Sequence, residues 1–273
     1  MTSGATPPVG INVAVASTAR IYDFWLGGKD NFAADRAAAL AVTEVAPEAQ
    51  LMAVENRKFL RRAVRYLAAE AGITQFLDIG TGLPTQGNVH QVAQEANPAA
   101  RVVYVDNDPM VIAHSRALKT GDNTAVIEAD LRLPQEILDH PETRKLIDFS
   151  QPLAVLLVAV VHFIGDDDDP AGIVGAIRDA MAPGSYLVVS HVTSDIRRDV
   201  SARAAVHYKR VTPDATLRSR EEILRFFAGL DLIEPGLVQV PYWRSEEEVP
   251  DAGKVWFLGG VGCKPGLPGN GGK

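Results

Sequence analysis

Cys263 is the only cysteine in 273 residues. An internal disulfide and a cysteine-based zinc site are both excluded, and the usage fits a reducing cytosol. Basic charge is also in deficit. Lys and Arg number 27 against 34 Asp and Glu, a net charge of −7. A whole-surface attraction for nucleic acid or anionic lipid is excluded, and only a local basic patch is left open. Long apolar runs are missing. The longest, residues 153–161 (LAVLLVAVV), is about half the ~20 residues a transmembrane helix needs. The N-terminus has no charged leader, and its apolar piece at 13–16 is too short for a signal peptide. No internal repeat is visible. These absences predict a soluble, cytoplasmic protein with neither nucleic acid nor membrane as partner. What is present is ordinary globular composition, 47% hydrophobic and 22% charged, which excludes general disorder. The length suits one large α/β domain with additions, or two small domains.

Residues 1–17 read as a flexible lead-in. The segment from Arg20 to Phe32 packs aromatic residues, charges and a Gly27-Gly28 pair together, then turns Ala-rich and helical. Residues 54–70 read as an amphipathic helix. Phe59, Ala63, Val64 and Leu67 form its apolar stripe, and Lys58, Arg61, Arg62 and Arg65 form an expected solvated face. After Gly72, short β-like runs alternate with helices. The strands are expected at 75–80, 101–106, 124–130, 153–161 and 185–192, and the helices at 89–96, 109–118 and 170–181. Several strands are apolar throughout, as central parallel strands covered on both faces are. The alternation predicts a doubly wound α/β sheet. Further helices are expected at 194–208 and 218–230, the latter opened by a Ser219–Glu222 capping box. Late strands are expected at 237–243 and 254–262. The resulting division is lead-in 1–17, helical cap 18–72, core 73–264 and flexible tail 265–273, with cap and core forming one domain.

Three strand ends carry chemistry. The first is Phe76-Leu-Asp-Ile-Gly-Thr-Gly-Leu-Pro84. Glycines at such a turn let a ligand approach the backbone, and the following helix offers free N–H groups. The third glycine of a dinucleotide fingerprint would fall at Thr85, so that motif is incomplete. Asp78, two residues before the turn, is a poor neighbour for a pyrophosphate and suits a cationic amino group. The second is Asp106, 26 positions after Gly80 at the end of the next strand, where an acid can accept from both ribose hydroxyls. Asp108 before Pro109 reads as a helix N-cap. The third is Asp130, just past the third strand. It reads equally as an acceptor for an exocyclic amine such as adenine's and as a loop or cap residue.

Together these residues describe a site for an adenosine with a cationic, amino-acid-like arm. At this point the sequence resembles the class I S-adenosylmethionine-dependent methyltransferases over roughly residues 75–262. That resemblance implies a Rossmann-like, doubly wound, mostly parallel seven-stranded sheet with an N-terminal helical cap. It implies that Asp78 and the Gly80-Thr81-Gly82 turn approach the methionine part of the cofactor. Asp106 would hold the ribose, Asn107 would flank the adenine, and Asp130 with Leu131 would read the adenine edge. The superfamily loop has a third glycine where this chain has Pro84. The segments 20–32 (RIYDFWLGGKDNF) and 55–62 (ENRKFLRR) narrow the likeness. They are similar to a bacterial family of S-adenosyl methyltransferases long catalogued as a domain of unknown function. The cofactor implied is S-adenosyl-L-methionine, with S-adenosyl-L-homocysteine as product.

Two histidines, His162 and His191, fall at expected strand ends, where either could serve as general base. Asp166–Asp169 reads as helix N-capping before Pro170 rather than as a metal site, and no metal is expected. The Gly27-Gly28 pair suggests a loop folding over a ligand, with Tyr22 or Asp23 nearest the methyl group; the alternative is a hydrophobic helix on the sheet edge. His162, Tyr22 and Asp23 are thus the candidate catalytic residues. The acceptor is expected to be a small molecule. Competing readings are an NAD-dependent oxidoreductase and a non-catalytic S-adenosylmethionine-binding regulator.

Overall fold

A computed structural model describes residues 12–84, 87–117, 121–248 and 251–266. Most of the expected lead-in, all but two residues of the tail, and Thr85 lie outside the described residues. The parallel part of the sheet holds β1 (Gln75–Ile79), β2 (Arg101–Asp106), β3 (Thr124–Glu128), β4 (Ala154–Val158) and β5 (Tyr186–Val192). Short strands β6 (Asp231–Leu232) and β7 (Val238–Gln239) precede β8 (Phe257–Cys263). The order is β3-β2-β1-β4-β5-β8-β6. β8 runs antiparallel to β5, and β6 and β7 pair with its opposite edge. Eight strands therefore fill seven lanes, the Rossmann-like, mostly parallel sheet expected from the sequence. The chain reverses direction across the sheet between β1 and β4, and a crevice opens outside the carboxyl ends of such strands.

Strand alternation sorts the core into two layers. On one face Phe76, Val102, Tyr104, Leu156 and Val188 pack under α1 (Thr18–Trp25), α2 (Ala33–Val45), α3 (Ala49–Ala69) and α4 (Val89–Ala96). On the other, Leu77, Val103, Val155 and Leu187 meet the apolar side chains of the helices that follow β3, β4 and β5. In chain order the remaining helices are α5 (Pro109–Ala117), α6 (Pro134–Asp139), α7 (Pro141–Leu146), α8 (Pro170–Ala180), α9 (Arg198–Tyr208) and α10 (Arg220–Arg225). Of these, α6, α7, α8 and α10 cover this second face, α9 packs against α2 on the first, and α5 forms a small cluster of its own with Leu83. The α3 stripe of Phe59, Ala63, Val64 and Leu67 is fully buried.

The N-terminal helices are organised by one buried acid. Asp35 accepts from Ser17 N at 2.9 Å, Phe32 N at 2.7 Å and Arg20 Nε at 3.0 Å. Ser17 Oγ also reaches Asp108 at 2.5 Å, tying the start of α1 to the corner after β2.

Several expectations are corrected. Arg62 does not lie on a solvated face. Its guanidinium donates to Trp243 O at 2.8 Å and Val240 O at 2.6 Å, fastening α3 to the chain before β8. The run 153–161 is strand only to Val158. Ala159 has φ 56° and the chain leaves the sheet into a 3-10 turn at Val161–Phe163. The run 237–243 is strand only at Val238–Gln239, because a 3-10 turn containing Pro241 follows. Gly27 and Gly28 do not line the cavity that Tyr22, Asp23, Trp25 and Leu26 of the same segment reach. Gly27, at φ 76°, ends α1, and a Cβ on Gly28 would fall 1.9 Å from Asp23 Oδ1. No single helix among the described residues is long and apolar enough to cross a membrane.

Candidate functional site

A cavity of about 600 Å³ lies over the carboxyl ends of β1, β2 and β4, roofed by α1, α3 and α9. The structure brings every residue singled out for the cofactor to its wall: Asp78, Gly80, Thr81, Gly82, Asp106, Asn107, Asp130 and Leu131. Asp78 shares a strand face with Phe76, so the pleat aims it at α3. Burial pushes its carboxyl up to about 6, opposed by Thr81 Oγ1, which donates to it at 2.9 Å, and by the nearby Arg57 charge. The backbone then turns sharply. Gly80 N donates to Val105 O at 2.8 Å, and Gly80 and Gly82 sit at φ 73° and 66°. A Cβ on Gly80 would lie 2.3 Å from Val160 Cγ2, whereas one on Gly82 would meet only open space. The first glycine is thus required by packing and the second leaves backbone open to the cavity. Pro84 in place of a third glycine leaves this turn intact.

Asp106 receives Gly82 N at 2.9 Å and Asp108 N at 3.0 Å, one on each carboxylate oxygen. Burial raises its carboxyl, and these backbone donors oppose the rise. Asp108 also accepts from Met110 N at 2.8 Å, as a residue capping α5 would. Asp130 is held by Arg132, whose Nη2 and Nε donate at 2.6 and 3.0 Å, and by Asn107 Nδ2 at 3.3 Å. The Arg132 pairing keeps its carboxyl below the usual range.

Two polar residues at the wall carried no sequence expectation. Asn56 and Arg57 of α3 line the cavity, and Asn56 Oδ1 and Arg57 Nε are buried without a partner. Their signal was positional: Asn56 precedes Phe59 by three and Ala63 by seven, which puts an amide on the apolar stripe. Arg218 was missed as well. It is buried, donates to Val161 O, His191 Nε2, Ile164 O and Asp166 Oδ1, and so holds the turn after β4 in place. Asp169 caps α8, accepting from Gly172 N at 3.0 Å.

The three residues considered for chemistry occupy different settings. His162 lies in the turn after β4, not on the strand, lines the cavity, and is held neutral by burial and by His191 and Arg218. His191 is not at the wall. Its Nδ1 meets Val192 O at 2.6 Å, its Nε2 faces Arg218, and burial lowers it to about 3. Tyr22 donates to Ala53 O at 2.9 Å and accepts from Asn56 Nδ2 at 2.9 Å. Asp23 accepts from Asp30 N at 3.0 Å and Asn31 Nδ2 at 2.9 Å, inside the turn that follows α1.

A family described as S-adenosyl methyltransferase matches residues 4–265. The crystal structure of a putative methyltransferase from Thermobifida fusca YX is 46% identical, covering 96% of this chain and 99% of that one, with a TM-score of 0.91. A DUF574 family protein from Streptomyces avermitilis MA-4680 is 41% identical, covering 93% and 99%, with a TM-score of 0.90. An O-methyltransferase family protein from Burkholderia thailandensis shares the fold alone, at 15% identity and a TM-score of 0.53, covering 82% of this chain and 62% of that one. No curated protein matches the chain. With a match that spans nearly every described residue, the chain belongs to the S-adenosyl methyltransferase family, whose enzymes are S-adenosylmethionine-dependent methyltransferases.

Proposed function

We propose that this cavity binds S-adenosylmethionine and that the protein methylates a small-molecule acceptor. The residues fit the cofactor. One observation carries the reading: unpartnered Asn56 Oδ1 and Arg57 Nε share a wall with Asp78, a set suited to an amino acid's ammonium and carboxylate. A buried donor or acceptor left unsatisfied is costly, so such groups together imply a ligand that satisfies them. Asp78 and Asn56 would take the ammonium and Arg57 the carboxylate. Asp106 would accept from the ribose hydroxyls, Gly82 would let the chain pass close, and Asn107, Asp130 and Leu131 would border the adenine. When bound, the cofactor supplies a methyl group on a sulfonium that leaves readily. The protein then has to align acceptor and methyl carbon and exclude water. Of the candidate catalytic residues, His162 suits proton removal best, because Tyr22 and Asp23 already have partners. The helices α1–α3 would act as the cap over this site. The lone cysteine supports a cytoplasmic location.

The test is calorimetric titration with S-adenosylhomocysteine, 5′-methylthioadenosine and NAD. S-adenosylhomocysteine should bind and NAD should not. Arg57→Met should weaken S-adenosylhomocysteine by about 1.5–3 kcal/mol, the scale of hydrogen bonds to charged groups, and leave methylthioadenosine, which lacks the amino-acid end, unchanged. NAD binding without S-adenosylhomocysteine binding would sink the reading. Equal losses for both nucleosides would remove Arg57 from the role given to it.

A further inference from the structure

Away from the Gly80–Gly82 turn the cavity changes character. Its walls there are Tyr22 and Trp25 of α1, Met52 of α3, Phe163, Tyr208 of α9 and Phe257 of β8. The rings meet in series. Centroid distances are 5.8 Å for Trp25–Tyr208, 5.9 Å for Tyr208–Phe163, 4.2 Å for Phe163–His162 and 5.7 Å for His162–Phe257. Aromatic walls of this kind gain most from a flat ring that can stack or meet them edge to face.

The polar side chains among these walls are neutral, and Asp214, which also lines the cavity, is exposed to solvent. Burial lowers His162, with His191 and Arg218 behind it, and raises the hydroxyls of Tyr22 and Tyr208. The acids on neighbouring elements are engaged elsewhere. Asp23 faces Asp30 and Asn31, and Glu48 holds Trp256 Nε1 at 3.2 Å and Arg197 at 3.4 Å. A charged acceptor would lose its hydration here and gain no counter-ion. On this side too an atom asks for a partner: His162 Nδ1 is buried with no hydrogen bond among the described residues.

We propose that the methyl acceptor is an uncharged, planar aromatic molecule with a hydroxyl group, its ring against the wall of Trp25, Tyr208 and Phe163 and its hydroxyl on His162 Nδ1. The proposal rests on the reading of the cavity as an S-adenosylmethionine site. An acceptor hydroxyl donates to Nδ1 and satisfies it. In the transfer, a lone pair on the hydroxyl oxygen forms the bond to the methyl carbon. The carbon–sulfur bond breaks with its pair going to sulfur, and the hydroxyl proton passes to Nδ1. Positive charge moves from sulfonium to imidazolium, so the total charge of the site is unchanged. The buried histidine becomes charged only as the neighbouring sulfonium is neutralised.

Protein saturated with S-adenosylhomocysteine, with saturation verified by calorimetry, is titrated with 2-naphthol, naphthalene, 2-naphthoate and 1-decanol. Quenching of tryptophan fluorescence reports binding, since Trp25 and Trp256 line the cavity. 2-Naphthol should bind about tenfold tighter than naphthalene, the worth of one hydrogen bond to a buried acceptor. It should bind at least about 100-fold tighter than 2-naphthoate, whose charge finds no partner. In His162→Phe the ring remains as wall, naphthalene should bind as before, and the advantage of 2-naphthol should vanish. Equal affinity for 2-naphthoate, tighter binding of 1-decanol, or no 2-naphthol binding by saturated protein would overturn the acceptor class alone. Failure of S-adenosylhomocysteine to bind would overturn the reading beneath it and the proposal together.

Discussion

Asp78 combines a buried position with a charge that a ligand can call out. Burial raises its carboxyl from 3.8 to about 6, so the folded protein keeps this proton where the unfolded chain has released it. The resulting stability is full below the ordinary pKa and is lost as pH rises through about 6. A ligand ammonium favours the ionised form instead. S-adenosylhomocysteine affinity should therefore rise by up to about tenfold per pH unit to about pH 6 and level off above it. Calorimetry from about pH 5 to 8 measures this, and Asp78→Asn should flatten the rise; a profile unchanged in the variant would assign the titration to another group. Asp78 and Asp106 were legible because a strand-end acid is placed by local pattern. Asn56 and Arg57 were not, because what singles them out is a cavity wall shared with Asp78, on a strand more than twenty residues away. The pairing of Asp130 with Arg132 was equally hidden, since only side-chain geometry separates an ion pair from two neighbouring exposed charges.

At the level of elements, the turn after β1 separates packing from binding. Ala at Gly80 must adopt φ 73° and set its Cβ against Val160. Left-handed backbone costs about 1–2 kcal/mol for an L-residue, and forcing a methyl into packed space costs about 1–3 kcal/mol more. Gly80→Ala should lose about 2–5 kcal/mol in urea unfolding and Gly82→Ala only about 1–2 kcal/mol, with weaker S-adenosylhomocysteine binding in the latter. Equal losses would mean that Val160 gives way and that Gly80 is not a packing requirement. Elements whose signals are local were legible to the residue: β2 at Arg101–Asp106 and α4 at Val89–Ala96. β4 was overread because its apolar run continues into a turn whose side chains are buried for a different reason. Val161 packs in the core and Arg218 grips the backbone there. Apolarity alone does not distinguish a strand from a buried turn.

For the whole molecule, the reversal between β1 and β4 places the strand ends around one opening, and the N-terminal helices close it from above. The alternating class was visible in sequence. The antiparallel β8 between β5 and the β6–β7 edge was not, since long-range pairing leaves no local mark. The role of α1 illustrates the same limit. Its glycines end the helix, and Tyr22 and Trp25 reach the cavity because Asp35 fastens residues 17, 20 and 32 in one cluster. The most direct measurement is a crystal of the protein soaked with S-adenosylhomocysteine. The expected result has the ribose hydroxyls about 2.7 Å from Asp106, the carboxylate on Arg57, and the sulfur opening toward His162 and the aromatic chamber. A nucleoside bound away from the Gly80–Gly82 turn, or with its sulfur facing a closed wall, would contradict the account.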